Sequence, residues 1–290
     1  MISGIITATA LVGGIGLFIG LFLGGAAIWL RVQTNEKEEA VLELLPGNNC
    51  GGCGYPGCAG LAAAIASGEA PTNACPVGGA EVGKKIAAVM GVEAEESERM
   101  VAFVQCRGTR DQVKLDYEYN GIQDCRMLSF VPNGGAKSCN FGCLGYGSCV
   151  EVCPFDAIHV FNGVAQVDRE ACKACGKCIS VCPKNLITLI PYSAKYAVAC
   201  SSGDKGPITM KDCRAGCIGC GICEKNCPAG AVHVENFNAT IDQSKCTGCG
   251  ICAEKCPKKV IVVPEKVSVR AAAAAAAGCR WPERRLQWEI

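Results

Sequence analysis

The sequence is short of histidine, charge and aromatic residues, and each shortage removes a class of function. Two histidines in 290 residues leave too few imidazoles for His-based zinc chemistry. Charged residues are 19% of the chain and the formal net charge is +1. The lysines and arginines are scattered, and no groove-reading motif accompanies them, so no nucleic-acid partner is expected. The glycines of the first apolar stretch have no strand before them, so a dinucleotide fingerprint is missing. No flavin or nicotinamide motif and no nucleophile constellation is found. Residues 2–30 hold no charge at all. What the chain has in excess is cysteine, 25 of them.

The uncharged stretch ISGIITATALVGGIGLFIGLFLGGAAIWL is long enough to span a bilayer as one helix. It has no basic n-region and no A-x-A site after it, which argues against a cleaved signal. Gly16, Gly20 and Gly24 share one helical face, the spacing that lets a second membrane helix approach closely. Trp29 falls at the expected interface, with Arg31 as the first charge beyond it.

The cysteines follow a metal pattern rather than a disulfide one. Three runs read C-x2-C-x2-C-x3-C-P: Cys172/Cys175/Cys178/Cys182, Cys217/Cys220/Cys223/Cys227 and Cys246/Cys249/Cys252/Cys256. A fourth is stretched, with Cys139, Cys143, Cys149 and Cys153 before Pro154. This is the bacterial [4Fe-4S] signature, in which the last cysteine of each run ligates the neighbouring cluster. The crossed scheme groups Cys139, Cys143 and Cys149 with Cys182, and Cys172, Cys175 and Cys178 with Cys153. It likewise groups Cys217, Cys220 and Cys223 with Cys256, and Cys246, Cys249 and Cys252 with Cys227. Such thiolates must stay reduced, which puts the cysteine-bearing part on the cytosolic side.

Ahead of these runs, Cys50, Cys53, Cys58 and Cys75 form a fifth quartet. Glycines between the first three let backbone wrap closely round a cluster; a tetrathiolate zinc site has similar geometry. Five [4Fe-4S] clusters are thus expected. Cys106, Cys125, Cys200, Cys213 and Cys279 are left over. They read either as small buried hydrophobes or as a sixth site or redox pair. VQC with a later Asp124-Cys125 echoes VAC with Asp212-Cys213, so residues 101–190 and 195–263 look like two copies of one unit. His159 and His233 fall at matched positions of the copies, which predicts packing rather than ligation.

The expected fold is multidomain α+β. A transmembrane helix at 1–30 precedes a small helical four-cysteine domain at 31–98 and a strand and linker segment at 99–136. Two tandem 2[4Fe-4S] ferredoxin-like domains follow at 137–194 and 195–263, then a low-complexity tail at 264–290. Short strands are predicted at MVAFV and after each C-P, in AIHVF, LITLI, AVHVE and VIVVP. The seven-alanine run after Arg270 carries no functional reading.

In this order, an apolar helix, CGGCGYPGC…ACP, CNFGCLGYGSCVEVCPFDAI and CIGCGICEKNCP resemble the B subunits of Rnf complexes over residues 1 to about 263. The resemblance implies a single-pass protein of the cell membrane with its clusters facing the cytoplasm. It implies electrons taken from reduced soluble ferredoxin and passed to other membrane and peripheral subunits. Those subunits carry flavins and reduce NAD, and the whole complex pumps Na+ or H+. The expected route runs from the C-terminal domains to the quartet at Cys50. The alternatives are a cluster protein of a formate- or hydrogen-linked membrane oxidoreductase, and a structural zinc protein.

Overall fold

The computed structural model describes residues 2–29, 36–94 and 98–264. The tail with Cys279, and Arg31, lie outside them. Helix α1 (Ile2–Trp29) is 28 residues long. Its large apolar side chains at Leu17, Phe18, Leu21 and Phe22 stand exposed. A Cβ placed at Gly16, Gly20 or Gly24 would meet nothing within 4 Å. Side chains are described for only part of α1, and among the described residues no helix is long and apolar enough to cross a membrane.

Three helices form the next core. Helix α2 (Glu36–Leu44) carries Glu36, Glu38 and Glu39 in its first turn, where carboxylates favour the helix dipole. Helix α3 (Gly57–Ser67) is alanine-rich and stops at Gly68, whose φ of 81° suits a residue without a Cβ. Helix α4 (Gly79–Met90) ends in the same way at Gly91. Val41, Leu61, Ile65 and Ile86 are buried to 1% exposure or less and pack with Cys75. The helices thereby hold the cysteine loops at their edge.

Each of the two following units is a leading strand, a β-hairpin and a closing strand. In the first, β1 (Met100–Val104) pairs antiparallel with β4 (Ile187–Pro191), Val101 opposite Ile190. Between them come the one-turn helix α5 (Ser148–Glu151), the hairpin β2 (Ile158–Phe161) and β3 (Val164–Val167), and α6 (Lys177–Val181). In the second, β5 (Ala197–Val198) pairs with β8 (Ile261–Val262). Between them lie α7 (Gly206–Asp212), α8 (Ile222–Lys225), the hairpin β6 (Val232–Glu235) and β7 (Asn238–Ile241), and α9 (Ile251–Lys255). The predicted strands all form, though VIVVP contributes only two residues.

The part of the expected strand and linker segment (99–136) that follows β1 is stitched between the units. Val113 bridges Cys213, and Leu115 bridges Lys137. The Lys114 N–H donates to the Asp212 carbonyl at 2.9 Å, and the Arg214 N–H to the Gln112 carbonyl at 2.8 Å. Backbone groups leaving a strand need partners, and here they find them on the other unit.

Candidate metal centres

One local device recurs at four places. Gly147, Gly176, Gly221 and Gly250 all take positive φ, 82°, 77°, 70° and 84°. Each opens a one-turn helix whose second residue is a cysteine: Cys149, Cys178, Cys223 and Cys252. A side chain at the glycine would be strained, so the G-x-C pair is what turns the thiol inward.

Cysteines from distant positions meet around cavities. Cys153, Cys172, Cys175 and Cys178 line one of about 360 Å³. Cys217, Cys220, Cys223 and Cys256 line another of about 340 Å³. Cys252 lies within electrostatic reach of Cys246, Cys227 and Cys249. Cys75 lies within the same reach of Cys53 and Cys58, and Cys175 of Cys50. Gly52 brings the first loop onto the first unit: a Cβ there would stand 2.7 Å from the Cys175 carbonyl oxygen. Among the described residues no group of three or more His, Cys, Asp or Glu closes around a single ion. Four cysteines brought to one cavity, beside apolar side chains and backbone, meet the four-thiolate requirement of an iron–sulfur cluster.

The stretched run departs from expectation. The cavity of about 410 Å³ that holds Cys143, Cys149 and Cys182 has Cys125 as its fourth cysteine. Cys139 lines a different cavity, with Cys106, Cys200 and Cys213. The expected grouping of Cys139 with Cys143, Cys149 and Cys182 thus draws on cysteines that line two different cavities. The physical reason is a buried tether: the Ser148 hydroxyl accepts the Cys125 N–H at 2.8 Å and donates to Asp124 at 2.8 Å. Arg126 beside Asp124 holds that carboxyl well below the usual range, against the opposing effect of burial. The sequence carries a signal for this partition. CLGYGSC at 143–149 aligns with CIGCGIC at 217–223, which puts Tyr146 opposite Cys220 and Cys139 opposite Cys213. The echo of Cys125 with Cys213 is thus one cysteine out of register.

Burial dominates the thiols. It pushes Cys139 and Cys149 up to about 12, and Cys143 and Cys223 up to about 11. Cys178 rises to about 12 for the same reason. Metal must therefore displace protons to bind, and backbone donors aimed at sulfur oppose the burial effect. The Ala102 N–H reaches Cys172 Sγ at 3.4 Å, Ala157 reaches Cys153 at 3.4 Å and Ala231 reaches Cys227 at 3.3 Å. His159 and His233 lie on β2 and β6 as expected. His159 is half-buried, its ring 6.4 Å from that of Phe161 and its Nε2 2.9 Å from the Asp156 carbonyl, while His233 is exposed beside Glu224.

Comparison with known proteins agrees with the cysteine pattern. An Fe-S cluster family matches residues 45–77, and the LdpA Fe-S cluster-binding domain matches 139–193. The 4Fe-4S dicluster domain matches twice, over 171–231 and 216–261. A Methanosarcina acetivorans protein, named as the B subunit of an ion-translocating oxidoreductase complex, is 43% identical over 84% of this chain and 93% of its own length. The B subunit of the Acetobacterium woodii Na(+)-translocating ferredoxin:NAD(+) oxidoreductase complex is 44% identical over 84% of this chain and 74% of its own. The B subunit of the Clostridium ljungdahlii proton-translocating ferredoxin:NAD(+) oxidoreductase complex is 40% identical over 79% and 81%.

Proposed function

Since this chain belongs to the family of B subunits of ion-translocating, Rnf-type oxidoreductase complexes, we propose that it is the electron-input arm of such a complex, with reduced ferredoxin as donor. It is an iron–sulfur electron-transfer component of a ferredoxin:NAD oxidoreductase. The motif quartets would hold five [4Fe-4S] clusters, each supplying a one-electron site. The ligand sets are Cys50/Cys53/Cys58/Cys75, Cys153/Cys172/Cys175/Cys178, Cys217/Cys220/Cys223/Cys256 and Cys227/Cys246/Cys249/Cys252. The fifth is Cys143, Cys149 and Cys182 with one further thiolate.

The observation that carries the direction is exposure. Cys220 and Cys249 are the exposed cysteines among the described residues, and both belong to the C-terminal unit, where a soluble donor would dock. At the other end, the Gly52 loop lies against Cys175, so the exit is the N-terminal quartet. Helix α1 is the anchor in this reading, supported by its uncharged sequence and the exposed apolar side chains of its described part. The open glycine face at Gly16, Gly20 and Gly24 suits a membrane helix of another component of the complex. The cluster-bearing part then faces the cytoplasm.

The test uses the assembled complex with Cys53→Ser. Reduced ferredoxin should still bleach the C-terminal clusters, while flavins of the partner subunits stay oxidised. Flavin reduction at the wild-type rate would sink the route. Iron and acid-labile sulfide in the purified chain, against zinc without sulfide, test the cofactor.

A further inference from the structure

We propose that Cys106, Cys139, Cys200 and Cys213 hold a sixth [4Fe-4S] cluster at the seam between the two units, and that Cys125 completes the quartet of Cys143, Cys149 and Cys182. The inference rests on the iron–sulfur reading above.

These four cysteines line one cavity, as four cysteines line each of three others. Its symmetry is the second observation. Cys106 follows β1 and Cys200 follows β5, the equivalent strand of the other copy. Cys139 stands four residues before Cys143, as Cys213 stands four before Cys217. Each unit thus gives one equivalent pair to a shared site. The bridge between Val113 and Cys213 fixes one pair against the other unit. The direction in which Gly108 would carry a Cβ meets Cys213 Sγ at 3.4 Å and Cys106 Sγ at 3.7 Å.

The sulfurs are dressed as ligands are elsewhere in the chain. Cys106 Sγ accepts from the Cys143 N–H at 3.3 Å and the Gly108 N–H at 3.4 Å. Cys200 Sγ accepts from the Cys217 N–H at 3.2 Å and the Ser202 N–H at 3.5 Å. Both sulfurs therefore touch a ligand residue of a neighbouring quartet, one in each unit.

The third observation is Lys137, which lines the same cavity at 6% exposure. Its Nζ donates to the carbonyls of Gly108 at 2.7 Å and Gly163 at 2.8 Å. None of the described ion pairs includes it. The sulfurs within its electrostatic reach are those of Cys106, Cys143, Cys213 and Cys139. A buried ammonium needs a countercharge. Four neutral thiols would leave it without one, whereas thiolates on a cluster supply it. A cluster here would add a one-electron site between the units.

Native mass spectrometry of the detergent-solubilised full chain, purified without oxygen, counts whole clusters. Six are expected in the wild type and five in Cys106→Ala/Cys213→Ala. Cys125→Ser should lose one cluster, and adding Tyr146→Cys should restore it, because Tyr146 holds the place of Cys220. Five in the wild type, or no loss in the double variant, overturns the inference and leaves the proposed function standing. Zinc without sulfide overturns both. Should the double variant fail to fold, Lys137→Gln decides. One reduction step should move to lower potential with the others unmoved, since a nearby cation favours the reduced, more negative cluster. A titration superimposable on wild type would refute the assignment.

Discussion

The two dicluster units share a plan and differ in what covers them. Cys175 and Cys249 are the second cysteines of equivalent runs. Cys249 is exposed, while Cys175 is half-buried beneath the loop of Gly52. At the place where the second unit has the exposed Cys220, the first has Tyr146, which stacks edge-on with Tyr119 at 5.8 Å. The second unit is open on the side where a donor would arrive. The first is closed by protein on both sides. On the proposed route, a few changed contact residues, rather than a changed fold, would make one copy an interior link and the other a receiver.

The comparison breaks most severely at Gly52. Replacing it with Val drives side-chain atoms into the Cys175 backbone, whose Cα and C would lie 3.0 and 3.1 Å from the new Cβ. Backbone cannot yield as a flexible side chain can, so the overpacking costs about 1–3 kcal/mol. The helical domain should detach from the first unit. Hydrogen exchange should then speed up around residues 172–178, and Cys175 in the metal-free chain should become as quick to alkylate as Cys249. Alkylation rates that remain apart would mean the loop does not cover Cys175.

Ser148 sharpens the difference on the other side of the first unit. Its counterpart is Ile222, which is 37% exposed, while Ser148 is 2% exposed and satisfies the Cys125 N–H. Ser148→Ala leaves that buried donor unpaired, at about 1–3 kcal/mol. Ile222→Ala should change stability by well under ~1 kcal/mol. Urea unfolding of both variants checks the asymmetry. Equal losses would deny Ser148 its role in holding Cys125.

The plan itself was legible because the cysteine spacing and the alternating strands after each C-P are local signals. The strands MVAFV, AIHVF and AVHVE form where the sequence puts them. The partition of cysteines in the first unit was not, since Cys125 reaches its cavity through a contact with Ser148 23 residues away. Counting the stretched run from its first cysteine hides this. Aligning CLGYGSC with CIGCGIC exposes a missing thiol at Tyr146 and so demands a substitute. The seam quartet joins four segments across both units, and only tertiary contacts such as the Val113–Cys213 bridge assemble it.

The smallest expected effect separates the hairpins. The first turns at Asn162-Gly163, with φ of 46° and 77°, the residue pair that such a two-residue turn favours. The second turns at Asn236-Phe237, with φ of 48° and 61°. A phenylalanine in the left-handed region costs about 1–2 kcal/mol, yet this one is 45% exposed and gains little from burial. Its backbone abuts Gly219, where a Cβ would meet Phe237 Cα at 2.8 Å, beside the open Cys220. If the proposed donor docks at the open quartet, Phe237 is placed to meet it. Phe237→Gly should therefore stabilise the second unit by ~1 kcal/mol while slowing its reduction by ferredoxin. A faster or unchanged reduction would leave the strained turn as a trace of duplication, and the receiving surface would have to lie on the α9 side, around Cys249.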